Sequence, residues 1–137
     1  GIEKIKTIGD AYMAVAGVPL PREDHAAAMA DMALDMLEDA RLTGERIGRP
    51  FRLRIGLNSG PVVAGVIGVR KFIYDLWGDT VNSASRMESH GVPGAIHVSE
   101  ATHDLLRGRF TLEARGPIHV KGKGEMNTWF VTGRNKP

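Results

Sequence analysis

Apolar and polar positions along this chain follow two different periods, and the changes of period mark its elements. Ile2 to Thr7 alternate with period two, the pattern of a strand with one buried face. Gly9-Asp10 supplies turn chemistry, and Ala11 to Gly17 reads as a second strand, so the two predict a hairpin with Asp10 near its bend. Pro19 and Pro21 end it. From Glu23-Asp24 to about Arg46 the spacing becomes helical: Met29, Met32, Ala33, Met36, Leu37 and Ala40 form the apolar stripe, with Asp31, Asp35, Glu38 and Asp39 on the other side. The methionines in that stripe read as core packing. Arg52 to Gly56 alternate again, placing Leu53, Ile55 and Leu57 on one face and Arg52 and Arg54 on the other. After a Gly60-Pro61 turn, Val62–Ile67 and Lys71–Leu76 read as strands. Small residues Ala64 and Gly65 leave room for something to approach closely. Ile96–Val98 is a short strand, Ser99-Glu100 caps a short helix to Leu106, and Phe110–Val120 and Thr128–Val131 are closing strands joined through Lys121-Gly122-Lys123-Gly124. The pattern is mixed α and β, with helices packed on one sheet.

The stretch from Tyr74 to Glu88 (Tyr-Asp-Leu-Trp-Gly-Asp-Thr-Val-Asn-Ser-Ala-Ser-Arg-Met-Glu) carries the densest polar chemistry. Gly78 to Thr80 offer a helix start that Asp79 or Thr80 could cap, and Gly91 a stop. At about 100° per residue, Val81, Ala84 and Met87 cluster on one side. Asn82 and Arg86, four apart, point roughly the other way, and Asp75 sits just before the helix. An acid, an amide and a guanidinium at a strand-to-helix junction fit a polar ligand site; a solvated helix face with a cap fits the same spacing.

Composition narrows the options. With 137 residues and 42% apolar content, the chain is one domain or most of one. A formal charge of +2, from 18 basic and 16 acidic residues without a long basic run, argues against an electrostatic nucleic-acid binder. The absence of cysteine excludes disulfides and thiolate metal sites. No apolar run reaches the ~18 residues of a membrane span, and no signal peptide is visible. The opening Gly-Ile-Glu-Lys-Ile-Lys reads as the middle of a strand, so upstream residues are expected.

Familiar catalytic signatures are missing. There is no Gly-Lys-Ser/Thr phosphate loop, no Gly-x-Ser-x-Gly elbow and no i,i+4 histidine pair. The five histidines (His25, His90, His97, His103, His119) read as surface or structural. The Lys121–Gly124 turn places two ammonium groups beside glycines that admit an anion, or is an ordinary hairpin turn. Arg54 reads equally as a surface cation or a phosphate ligand. Asp10 reads as a turn former or a hard-cation ligand. Cations at Arg54, Arg86 and Lys121, a lone carboxylate at Asp10 and no covalent nucleophile together suggest a polyphosphate bound with a divalent ion, chemistry that needs positioning and charge neutralisation.

At this point the chain resembles a known family. Lys4-Ile-Lys-Thr-Ile-Gly-Asp-Ala-Tyr-Met13, Arg54-Ile-Gly-Leu57, Gly60-Pro-Val-Val-Ala-Gly65, the Tyr74–Glu88 stretch and Val120-Lys-Gly-Lys-Gly124 are similar, in order, to class III nucleotidyl cyclases, most of all mycobacterial membrane-anchored adenylyl cyclases of mammalian type. The resemblance implies an α+β, ferredoxin-like βαββαβ-type domain with an antiparallel or mixed sheet. It implies conversion of ATP to 3',5'-cyclic AMP and pyrophosphate with two magnesium or manganese ions per site. Asp10 would be a metal carboxylate, and Lys6 and Asp75 would read adenine, since a lysine donor serves N1 and an aspartate accepts from the exocyclic amine. Guanylyl cyclases usually carry Glu and Cys there. Asn82 would orient the ribose, Arg86 would stabilise charge at the α-phosphate, and Lys121 and Arg54 would hold the triphosphate. The site would form between two identical subunits placed head to tail, Asp10 and Arg54 from one, and Lys6, Asp75, Asn82, Arg86 and Lys121 from the other. The resemblance covers residues 1–137 as a partial domain. A family strand bearing a first metal aspartate, in an Asp-x-x-Gly-Phe-Thr context, and the helices after it are not among these residues, so little cyclase activity is expected of them alone. The domain would be cytoplasmic, in a parent anchored in the plasma membrane through a segment outside this chain. Guanylyl cyclase and a non-catalytic dimerisation module are the alternatives.

Overall fold

The computed structural model describes the backbone of residues 2–8, 11–17, 23–61, 63–67 and 73–135, and the side chains of 13–17, 23–61 and 78–135. Two strands come first, β1 (Ile2–Ile8) and β2 (Ala11–Ala16), paired antiparallel from Ile2↔Ala16 to Ile8↔Ala11. Both expected strands are borne out, with a register shift between Lys4 and Lys6. Helix α1 (His25–Ile47) follows. Its apolar stripe differs in detail from the one expected. The buried residues are Ala26, Ala27, Ala30, Ala33 and Ala40, the first four of them in the core cluster, while Met29 and Leu37 pack only partly against it. Alanines let a helix axis lie close to a sheet, and the longer methionines are then displaced to the rim of the contact.

The next elements are β3 (Ile55–Leu57), β4 (Val63–Ile67), β5 (Ile73–Trp77), α2 (Asp79–Ser89), β6 (Ile96–Ser99), α3 (Glu100–Leu106), β7 (Phe110–Val120) and β8 (Gly124–Arg134). The described strands pair in three sets rather than as one sheet: β1–β2, β4–β5, and a four-stranded sheet in the order β3-β6-β8-β7. In that sheet β3 and β6 are parallel and the remaining pairs antiparallel, so the architecture is α+β with a mixed sheet. β8 begins four residues earlier than the apolar pattern indicated, because it pairs with β7 from Val120↔Gly124 directly across the Lys121–Lys123 turn.

Strand β6 is buried on both faces and fixes where the helices lie. Ile96 and Val98 join the α1 alanines, Leu57, Leu106, Phe110 and Val131 in the core cluster. His97, on the opposite face by strand alternation, bonds to the Met87 carbonyl of α2. Helices α1 and α3 therefore cover one face of the sheet and α2 the other. Arg134 at the end of β8 binds Asp31 (2.8 Å) and Asp35 (3.0 Å), clamping α1 to the sheet.

Gly56 determines how α2 sits. A Cβ on this residue would lie 2.1 Å from the Glu88 nitrogen and 2.5 Å from the Met87 carbonyl carbon. Strand and helix thus meet backbone to backbone, an approach open only to glycine. The contact lies at the last turn of the helix that carries Asn82 and Arg86.

Candidate nucleotide-binding surface

Helix α2 begins where Gly78 takes φ 114°, a left-handed value that favours glycine. Neither expected side-chain cap forms. Asp79 is the first helical residue, and its carboxylate pairs with Lys123 Nζ of the β7–β8 turn. The Thr80 hydroxyl instead donates to the Pro61 carbonyl at 2.5 Å, while Asn58 Nδ2 donates to the Thr80 carbonyl at 3.0 Å. Both groups that could have capped the helix are committed to tertiary partners that orient its first turn. The helix ends at Ser89, and Gly91 N–H reaches the Glu88 carbonyl at 3.0 Å, close to the stop expected.

The buried residues of α2 are Ser83 and Met87, with Val81 and Ala84 only half buried. The expected apolar stripe is rotated by part of a turn, because contact with Gly56 brings the Met87–Glu88 backbone itself against β3. The polar face is as expected: Asn82 and Arg86 are exposed, and neither side chain has a hydrogen-bond partner among the described residues. Asp79, Asn82 and Arg86, spaced three and four apart, share that face. The Lys123–Asp79 pair therefore ties the turn bearing Lys121 to its N-terminal end. Lys121 is exposed and also unpaired among the described residues. The two carboxylates of α2 are engaged elsewhere, Asp79 with Lys123 and Glu88 with Arg54. Arg86 and Lys121 thus have no ion-pair partner among the described residues, a condition that favours attracting an anion.

Arg54 stands apart from this face. Its Nε donates to Glu88 Oε2 at 2.6 Å, on the flank of α2 turned away from Asn82 and Arg86. Within one chain Asn82 and Arg86 share one face of α2, the turn bearing Lys121 is tied to the start of that helix through Lys123 and Asp79, and Arg54 lies on another side. Lys6 lies on β1 opposite Met13, and Asp75 on β5 opposite Gly65; their side chains are outside the described residues. β1 approaches β5, so the two positions occupy neighbouring strands. Asp10 lies outside the described residues. A groove of about 700 Å³ between the C-terminal half of α1 and residues 49–53 contains none of these positions.

Side chains whose tertiary partners the sequence did not reveal hold α2 in place. Asp79 does so through Lys123. His97 is fully buried, and its Nδ1–H donates to the Met87 carbonyl at 2.8 Å, which fixes the tautomer. The bare Nε2 then accepts from Arg115 at 3.2 Å, and Arg115 also bonds the His90 carbonyl and lies 5.5 Å from the Phe130 ring centre. Burial, with the Arg115 and His90 charges adding to it, holds the His97 pKa below its ordinary value, opposed by the Met87 bond. A depressed histidine pKa means the unfolded chain takes up the proton first, so stability is present above the ordinary histidine pKa of about 6.5 and falls as pH drops below it. Melting temperatures recorded between pH 8 and 5 should decline on the acid side, and His97→Gln should flatten that decline. An unchanged slope in the variant would refute the assignment.

This scaffold is matched over residues 1–133 by the model of the adenylate and guanylate cyclase catalytic domain, and the chain belongs to that family. An adenylate cyclase of Mycobacterium tuberculosis is 54% identical over 134 residues, which are 98% of this chain and 30% of that protein. The chain thus spans under a third of that relative's length. Among solved structures, the guanylate cyclase domain of RhGC from Catenaria anguillulae in complex with GTP superposes with a TM-score of 0.91 at 45% identity, covering 98% of this chain and 74% of that one. The catalytic core of a rhodopsin-guanylyl cyclase with converted specificity, in complex with ATPαS, superposes at 0.87 with 46% identity, covering 97% and 72%.

Proposed function

We propose that this domain converts ATP to 3',5'-cyclic AMP and pyrophosphate at a site completed by a second identical subunit placed head to tail. The observation that carries the proposal is the α2 face, where Asn82 and Arg86 are exposed without partners among the described residues and whose first turn is tied through Asp79 and Lys123 to the turn bearing Lys121. In the reaction the ribose 3' oxygen forms a bond to the α-phosphorus, the bond to the bridging oxygen of the leaving pyrophosphate breaks, and the hydroxyl proton passes to solvent. The Asn82 amide orients the ribose. Arg86 meets charge that grows on the α-phosphate oxygens, so its contribution rises towards the transition state. Lys121 holds the triphosphate from the same subunit. Arg54, on the other side of the helix, is suited to serve the partner's site, as a head-to-tail arrangement requires.

Base choice rests on Lys6 and Asp75. A scaffold about equally similar to proteins bound to GTP and to ATPαS does not select the base by fold, whereas a lysine donor and an aspartate acceptor match the adenine edge. Asp10 is the candidate ligand for magnesium or manganese, which would neutralise the polyphosphate when bound. Among the described residues no three His, Asp or Glu side chains gather around a common point. No helix of the described residues is long and apolar enough to cross a membrane. Placement of the domain on the cytoplasmic side of an anchored parent belongs to the same proposal. The test is to incubate the full-length protein with ATP and a divalent cation: cyclic AMP and pyrophosphate in equal amounts are expected, and ADP with orthophosphate, or no product, would contradict the proposal.

A further inference from the structure

The Arg54–Glu88 pair joins residues 34 apart in sequence across two elements that are fixed to each other. Arg54 directly precedes β3, whose Gly56 touches the α2 backbone at Met87 and Glu88. Both side chains therefore start from a rigid backbone junction. Arg54 is 46% and Glu88 33% exposed, so the pair lies at the surface of the single chain. Such a pair contributes little to stability, and its geometry is more informative than its strength. Glu88 engages only Nε–H, the donor nearest the aliphatic stem. The two terminal amino groups have no partner among the described residues, leaving four N–H donors in a plane whose orientation the carboxylate fixes. Arginine is suited to bidentate phosphate recognition because of that rigid fork. Holding the fork in place beforehand reduces the side-chain freedom lost on binding. Arg86 is two residues from Glu88, about 200° round the helix, so Glu88 does not quench it.

We propose that Glu88 is a positioning residue that presents the Arg54 guanidinium to the triphosphate of the nucleotide. This rests on the reading of Arg54 as a triphosphate ligand and adds the residue that orients it. The idea makes a prediction of definite sign. A carboxylate beside a polyanion repels it unless the carboxylate is doing something else. If Glu88 only repelled, its removal would tighten binding; if it positions Arg54, removal weakens binding.

The test uses the full-length protein and inorganic triphosphate with magnesium, measured by calorimetry, so it depends on neither the base nor the cyclisation. Glu88→Ala should raise the dissociation constant roughly fivefold, and Glu88→Gln, which keeps the shape and an acceptor oxygen, should raise it less. In an Arg54→Ala background Glu88→Ala should cause no further loss. In turnover, KM for the nucleotide should rise with kcat within about twofold. Unchanged or tighter triphosphate binding in Glu88→Ala, or equal loss with and without Arg54, would overturn the proposal. Should the alanine variant misfold, as judged by its melting temperature, Glu88→Gln decides alone, weakening supporting the proposal and unchanged or tighter binding overturning it. Should the protein turn out not to cyclise ATP, the triphosphate measurement still reads Arg54 and Glu88.

Discussion

Arg86→Ala in the full-length protein is expected to lower kcat by about 100- to 1,000-fold, the cost of losing one preorganised donor to developing charge, with KM for ATP changed only a few-fold. The Arg86 side chain is exposed and has no partner among the described residues, so its removal leaves the packing of Ser83 and Met87 and the Asp79–Lys123 and Arg54–Glu88 pairs intact. The loss then reports chemistry rather than folding, which an unchanged melting temperature will verify. Arg86→Lys should recover only part of the rate, because an ammonium keeps the charge but lacks the planar fork. Stopped turnover and steady-state kinetics together separate the possibilities. A raised KM with normal kcat would place Arg86 in uniform substrate binding and would sink the transition-state role.

Exchanging the base-reading pair has the second large effect. Lys6→Glu with Asp75→Cys should change the ratio of kcat/KM for ATP over GTP by roughly 100-fold or more in favour of GTP, since a site built to hydrogen-bond one base edge rejects the edge with donors and acceptors reversed. The positions lie on β1 and β5, which approach each other, and β5 runs through Gly78 straight into α2. A base held there is held by the strand that leads into the helix bearing Asn82 and Arg86. The single replacements should each weaken ATP use with little gain for GTP, because each repairs only half of the mismatch. A double variant with unaltered preference would remove Lys6 and Asp75 from base recognition.

Much of this was legible in the chain because it depends on local spacing. Period two gave β1, a short apolar run bounded by turn signals gave β2, the 3.6 spacing gave α1 and α2, and the four-residue separation of Asn82 and Arg86 put both on the exposed face of α2. What the pattern could not give depends on contacts distant in sequence. Asp79 looked like a cap, yet its partner Lys123 is 44 residues on. Glu88 carried no signal of its own, since Arg54 meets it only after β3 docks on α2 through Gly56. His97 looked like any of five histidines until β6 proved to be buried on both faces. The seam of α1 was misjudged for a related reason. Hydrophobicity favours methionine over alanine, but closeness of packing favours alanine, and only the sheet beneath determines which prevails.

Gly56 and Arg115 extend the same point from single contacts to the site as a whole. One permits the backbone contact at the last turn of α2; the other bonds the His90 carbonyl at its end. With Lys123 at the first turn, the helix is held at both ends while the face bearing Asn82 and Arg86 stays open to solvent. A surface held this way can present Asn82 and Arg86 to a ligand with little rearrangement, which is what electrostatic preorganisation requires.

The central claim is that this domain is built to use ATP. Its most direct test is kcat/KM for ATP and for GTP, measured on the full-length protein under identical divalent-cation conditions. The account predicts a preference for ATP of about 100-fold or greater, with cyclic AMP as the product. Equal use of the two nucleotides, or a preference for GTP, would contradict it.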